Sequence, residues 1–271
     1  ALNFENTWRN FTWMSGLTYS MNKNKIESLA DNVINPITGQ LFSIPSLDMG
    51  GYADLRFILR EGGSMGDLYS RTDLRRDANG AIYMDESNNV YTQKIDNPDS
   101  YIKLGSVLPK GNLAWRNNFM WKNFHVGFMI SARLGGVVFS RTQAILDKFG
   151  VSEASADARD NGFVLINGND RVNPENWYTT VGSTAVPQYY TYSATNVRLQ
   201  EASIGYTIPR KWLANVCDIK VSLIGRNLWM IYNKAPFDPE AVASTDNFYQ
   251  GIDNFMMPSL RNVGFSLNFK F

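Results

Sequence analysis

One cysteine and one histidine in 271 residues close off several kinds of chemistry at once. A single thiol excludes an internal disulfide framework and a thiolate zinc cluster. A single histidine excludes paired-histidine metal motifs of the H-E-x-x-H kind. Charge is scarce as well: Asp, Glu, Lys and Arg make up 19% of the chain, against a usual ~25%. The 26 Lys+Arg and 25 Asp+Glu nearly cancel, which removes the electrostatic case for nucleic acid as a partner. Mean hydropathy is −0.27, and no apolar run approaches the ~18 residues of a membrane helix, so a helical membrane protein is excluded. There is no G-x-x-x-x-G-K-[ST] phosphate loop, no G-x-S-x-G elbow and no EF-hand spacing. No enzymatic activity, cofactor or metal is expected.

Aromatic residues are abundant, at 13% of the chain (7 Trp, 13 Tyr and 16 Phe). Many of them fall at every second position. In the last nine residues Val263, Phe265, Leu267, Phe269 and Phe271 share one face, and Gly264, Ser266, Asn268 and Lys270 the other. Such period-2 alternation predicts a strand with one apolar and one polar face. Phe11, Trp13, Leu17, Tyr19 and Met21 alternate in the same way, as do Leu113, Trp115, Phe119 and Trp121. Phe124, Val126, Phe128, Ile130, Ala132 and Leu134 follow after Lys122-Asn123, a two-residue hairpin connection. Segments 196–208 and 218–232 read as strands too. In the first of these Val197 and Leu199 give way to Ala202, Ile204, Tyr206 and Ile208, a slip that predicts a bulge. Runs near 51–61 and 66–76 flank a tight turn at Gly62-Gly63-Ser64.

About eight main strands result, most of ~10 residues or longer, which exceeds the common 5–6 of soluble proteins and suits a tilted crossing of a bilayer. Connections at 62–65, 122–123 and 209–217 are short. Those near 24–50, 77–110, 137–195 and 233–258 are long and polar. Short turns on one side and long loops on the other predict an all-β fold: an antiparallel transmembrane β-barrel portion with periplasmic turns and extracellular loops. Within the loops, Arg141–Gly150 predicts a short helix ending at the glycine. Asp77–Gly80 and Glu86–Asn89 predict turns around a small extramembrane strand.

Single residues carry less. His125 reads as a solvated or networked histidine, and Cys217 as a bystander thiol. Arg71, Arg75 and Arg76 read as a solvated face or loop network. Asp238 and Glu240 are too few oxygens for a calcium site and suit a turn-stabilising role better. Trp8, Trp13, Trp115, Trp121, Trp212 and Trp229 lie near predicted strand ends, as interfacial girdle residues do. Trp177, Tyr178, Tyr189 and Tyr190, in the longest loop, are candidates for stacking on a ligand, with packing inside the loop as the alternative.

Several stretches together resemble the SusC/RagA-type TonB-dependent transporters. Asn196–Pro209 is similar to that family's "vRL-x-x-x-s-l-G-Y-t-l-P", and Ser222–Trp229 to its "v-s-x-x-G-x-N-L-f/w". Phe237-Asp238-Pro239-Glu240, Gly251-Ile252-Asp253, Pro258-Ser259-Leu260-Arg261 and the terminal Phe271 match further family motifs. Upstream, Tyr19–Ile26, Gly63–Tyr69 and Val172–Tyr178 also resemble it, all in family order. The resemblance implies that residues 1–271 form the C-terminal part of a plugged barrel of about 22 strands, in the outer membrane of a Gram-negative bacterium. The plug and earlier strands would lie outside this chain. It also implies import of glycans or peptides, a SusD-like surface lipoprotein as a lid, and energy from an inner-membrane TonB complex contacting a segment near the N-terminus. The strand face of Phe265, Leu267, Phe269 and Phe271 would then meet outer-membrane lipid and serve as the barrel-assembly signal. The opening Ala1-Leu2-Asn3-Phe4-Glu5, with no initiator Met and no secretory leader, agrees with a piece of a longer parent. Two other readings remain open at this point: a self-contained small barrel with an adhesive or enzymatic role, and a soluble β-sandwich binding module.

Overall fold

A computed structural model describes residues 1–183, 186–214, 216–244, 246 and 249–271. Its main feature is a wall of seven antiparallel strands: β1 (Leu2–Trp8), β2 (Phe11–Ser20), β3 (Gly111–Trp121), β4 (Phe124–Leu134), β5 (Asn196–Ile208), β6 (Asp218–Asn233) and β7 (Asn262–Lys270). Each pairs with its neighbour in sequence order. The alternation predicted for these segments is the alternation seen. Phe265, Leu267 and Phe269 lie opposite Leu223, Val221 and Ile219. These in turn face Ile204, Tyr206 and Ile208, so one apolar face runs across the strands.

The slip predicted in β5 is a bulge. The pairing of β4 with β5 passes from Met129↔Glu201 to Ile130↔Leu199 and leaves Gln200 without a partner. That extra residue moves the apolar positions from odd to even numbers while keeping them on one face.

The short connections all lie at one end. Arg9-Asn10 and Lys122-Asn123 are two-residue turns, and Arg9 and Lys122 carry the positive φ (52° each) that such a turn demands. The third, 209–217, contains a 3-10 turn at Arg210–Trp212. β7 finishes at this same end, with Lys270 opposite Asp218.

The other end differs from expectation. The segments 51–61 and 66–76 are not wall strands. Together with Ser46–Tyr52 and Ile102–Ser106, Leu55–Arg60 and Asp67–Ser70 form a separate four-stranded antiparallel sheet. The turn at 62–65 therefore lies away from the wall, and Arg9-Asn10 takes its place in the alternation of short and long. One continuous connection, 21–110, replaces two loops and two strands.

The three long connections collapse onto one another as a cap. One cluster of buried side chains takes Leu55, Phe57, Leu68, Leu74, Val90 and Val107 from the first, Phe139, Ala144, Ile166, Val172, Val181, Val186 and Tyr190 from the second, and Ile252 from the third. The predicted helix forms as α1 (Arg141–Lys148). Its N-cap Ser140 accepts from the Gln143 amide, and Gly150 takes the left-handed conformation after it (φ 66°). Two more follow, α2 (Glu153–Asn161) and α3 (Pro174–Gly182), capped by Ser152 and Asn173. The turns at 77–80 and 86–89 form, joined through isolated bridges rather than a strand. Among the described residues no second sheet covers the apolar face of the wall, which removes the β-sandwich reading. None of them pairs β1 with β7 to close a small barrel.

Candidate functional site

Four of the motifs that carry the family resemblance meet at one place, on the polar face of the wall beneath the cap. Arg198 of β5 is 3% exposed. Its Nη2 donates to Asp238 Oδ1 (2.9 Å), its Nη1 to Asn227 Oδ1 (3.4 Å) and its Nε to Asn196 Oδ1 (3.2 Å). Glu240 approaches the same guanidinium at 3.4 Å and accepts from Asn196 Nδ2 at 3.1 Å. Asp238 also accepts from the Ser259 hydroxyl, two residues after Met257 and just ahead of β7. Asn227 Nδ2 donates to the Leu260 carbonyl (3.4 Å).

This arrangement ties the 234–261 connection to β5, β6 and the start of β7 through one buried cation. Removing a buried cation from water is costly unless it is paired and hydrogen-bonded, and here every nitrogen of Arg198 has a partner. Burial works against the charge of Asp238, but the Ser259 hydroxyl and the Arg198 guanidinium outweigh it and hold the carboxyl below its ordinary value. The turn-stabilising reading of Asp238 and Glu240 thus becomes a more specific one, a clamp between cap and wall. Among the described residues no group of three or more metal-ligating side chains comes together.

The four loop aromatics are placed differently from one another. Tyr190 is buried in the cap core, where burial and the Asp147 charge push its phenol far up. Trp177 and Tyr189 pack edge to face at 5.5 Å against the same core. Tyr190 is held in the core and Trp177 and Tyr189 pack on it, the arrangement of the packing alternative. Tyr178 alone lines a cavity of about 360 Å³ between the three helices, with Asp147, Phe149, Arg159 and Glu175. Its hydroxyl donates to the Ala154 carbonyl (3.0 Å), and burial, with Asp147 and Asp157 adding to it, pushes its phenol up.

Phe265, Leu267, Phe269 and Phe271 are all exposed, Phe265 at 77% and Phe271 at 83%. Trp8, Trp121 and Trp212 lie at the turn end, where Trp8 stacks on Phe11, Trp121 on Phe124, and Phe124 meets Tyr206 edge-on. Trp13 and Trp115 lie further in. Each covers a polar residue on the apolar face: Trp13 Nε1 donates to Asn117 Oδ1 (3.1 Å) and Trp115 Nε1 to Ser15 Oγ (3.0 Å). That pairing explains how Ser15 and Asn117 interrupt two otherwise apolar series.

His125 hydrogen-bonds Thr207 Oγ1 at 2.9 Å, a network role. Cys217 is a buried free thiol. Arg71 pairs with Asp54 (2.5 Å), Arg76 with Asp73 (3.1 Å), and Arg75 lies over the Tyr83 ring, so the basic cluster is a loop network. What the sequence did not disclose is the common meeting point of its own motifs. The arginine of "vRL", the asparagine of "G-R-N-L" and the carboxylates of "D-P-E" were each visible, but their contact spans 29 to 42 positions.

The comparisons agree with this geometry. No family model matches the chain. It is 26% identical over 294 residues to TonB-dependent receptor P3 of Formosa agariphila, a match covering 98% of the chain and 27% of that protein. Its fold matches the RagAB peptide importer in the "closed-closed" state, with a TM-score of 0.64 at 16% identity, over 99% of this chain and 28% of that one. The "open-open" state of the same importer matches with a TM-score of 0.56 at 14% identity. The chain spans about a quarter of the length of these relatives. The resemblance to SusC/RagA-type TonB-dependent transporters therefore holds along the whole chain, in sequence and in fold.

Proposed function

We propose that these residues form the C-terminal part of the barrel wall, with its extracellular cap, of an outer-membrane importer of glycans or peptides. One observation carries the reading. The seven-stranded wall exposes a continuous apolar face, exposes a mostly polar face behind it, and places every long connection at one end. In water, so large an exposed apolar surface is not stable. In a bilayer it is the face that lipid covers, while the polar face lines a lumen. The outer strands β1 and β7 each leave one edge open, which hydrocarbon does not accept, so further wall strands are needed to close the barrel. The family likeness supports a SusD-like lipoprotein seated over the cap and a TonB complex acting through parts outside these residues. Tyr178 is the one loop aromatic we retain as a ligand contact. The exposed ladder from Phe265 to Phe271 is our assembly signal.

The topology is tested in the native cells with the whole protein. Cys217→Ser removes the thiol of these residues, any cysteine elsewhere in the whole protein is replaced in the same way, and single cysteines are placed by Asn79→Cys in the cap and Lys122→Cys in a turn. A membrane-impermeant maleimide should label the first on intact cells and the second only after permeabilisation. Equal labelling of both would sink the membrane reading. Deleting the gene should abolish growth on either oligopeptides or oligosaccharides; normal growth on both would refute import of either.

A further inference from the structure

A recess of about 300 Å³ opens on the polar face of the wall where it meets the cap. Thr18 and Ser20 of β2, Asn112 of β3 and Ser131 and Arg133 of β4 line it, together with Glu240 from the cap. The register explains the grouping. Asn112 lies opposite both Ser20 and Arg133, and Ala114 lies opposite both Thr18 and Ser131, so all five wall residues share one face.

The two charges are held from behind. Arg133 Nη2 donates to the Val107 carbonyl (2.7 Å), while its Nε is buried with no hydrogen-bond partner. Glu240 is fixed by Asn196 Nδ2 and Arg198. Among the described residues no carboxylate lies within 4 Å of Arg133. Cation and anion are therefore both anchored by the scaffold and form no direct ion pair with each other, although the Glu240 charge, itself paired with Arg198, acts on Arg133 across the recess; hydroxyls and an amide lie between them.

We propose that this recess is a cargo-contact subsite for oligopeptides with free ends. It rests on the reading that the polar face lines the lumen of an importer. The Arg133 guanidinium takes a carboxylate, which its planar fork matches better than any neutral group. Glu240 takes an ammonium, and Asn112 with the hydroxyls takes the amides between. A neutral sugar would satisfy the hydroxyls but leave a fixed, half-buried cation without a counter-charge.

The test uses the whole transporter with its partner, purified from the outer membrane, and three probes: tetra-alanine, its N-acetylated and C-amidated form, and maltotetraose. Tetra-alanine should bind tenfold or more tightly than its capped form. Arg133→Gln and Glu240→Gln should each erase that preference, and Arg133→Lys should retain part of it. Heat-modifiable migration in gels confirms that each variant is folded. Equal binding of free and capped peptide, no binding of either, equal weakening of both by Arg133→Gln, or a preference for maltotetraose overturns the subsite. A protein correctly placed by the cysteine labelling but showing any of those results would lose the subsite and keep the membrane reading.

Discussion

The wall and the cap are drawn from one composition, yet they treat their apolar residues in opposite ways. Phe57 and Phe139 in the cap are essentially inaccessible, whereas Phe265 and Phe269 in the wall are more than half exposed. The cap is an ordinary small domain in this sense. It buries a contiguous core and gains roughly 25 cal/mol per Å² of apolar surface removed from water. The wall has no such core. Apart from the open edges of β1 and β7, its backbone groups are satisfied by ladder hydrogen bonds, and its apolar side chains stand outward in rows. An exposed phenylalanine in the cap would be a defect. In the wall, a row of them is what the proposed lipid-facing surface requires.

The comparison can be broken most severely from the cap side. Phe57→Ala should cost about 3–5 kcal/mol, seen as rapid proteolysis within 21–110 while the wall still resists heat in gels. Collapse of both together would show that the two are not separable. Arg198→Ala, which leaves Asp238 buried without its cation, should cost a similar ~3–5 kcal/mol, but its effect should centre on the 234–261 segment, measured by hydrogen exchange.

On the proposed membrane reading, Leu267→Arg on the apolar face should cost about 2–4 kcal/mol in lipid and reduce outer-membrane accumulation. Asn268→Arg, one residue away on the polar face, should change little. Equal damage from the two would remove the distinction between the faces.

Acid supplies a smaller effect. Because the folded-state value of Asp238 is depressed, its contribution is complete above the ordinary aspartate range and is lost as the pH falls through the depressed value. Exchange protection of 234–261 should fall in that acid window in the native protein, and the dependence should weaken in Arg198→Ala, where the Ser259 hydroxyl still favours the carboxylate.

The least effect is expected from Lys122→Gly. It relieves a left-handed lysine (φ 52°) in the β3–β4 turn and should raise thermal stability by under ~1 kcal/mol. A loss instead would mean that the turn conformation is set by contacts of the lysine side chain.

Much of the wall was legible because strand alternation is local. Six of its seven strands announce themselves by period 2, and even the Gln200 bulge shows as a slip in phase. β1 was harder to see, since it has seven residues and Asn6 interrupts Leu2, Phe4 and Trp8 on its apolar face. The error at 51–61 and 66–76 has a plain cause. Leu55-Arg56-Phe57-Ile58-Leu59-Arg60 is an apolar strand, and nothing within it says whether it joins a wall or a cap sheet. The candidate site was legible only in pieces. Trp177, Tyr178, Tyr189 and Tyr190 are alike as loop aromatics, and only packing separates the one that lines a cavity from the one that fills a core and the two that pack on it.

The sequence by itself determined which residues share a strand face in most of the wall, where two of its three hairpins turn, and that long connections leave from one end only. These depend on neighbours two to four positions apart and on the φ preferences of single residues. Tertiary structure alone decided that three loops condense into one core, that Arg198 gathers Asn227, Asp238 and Glu240, and that Arg133 and Glu240 face one recess. Those outcomes depend on contacts between residues tens to more than a hundred positions apart, whose formation is governed by loop closure and shape complementarity rather than by any local preference.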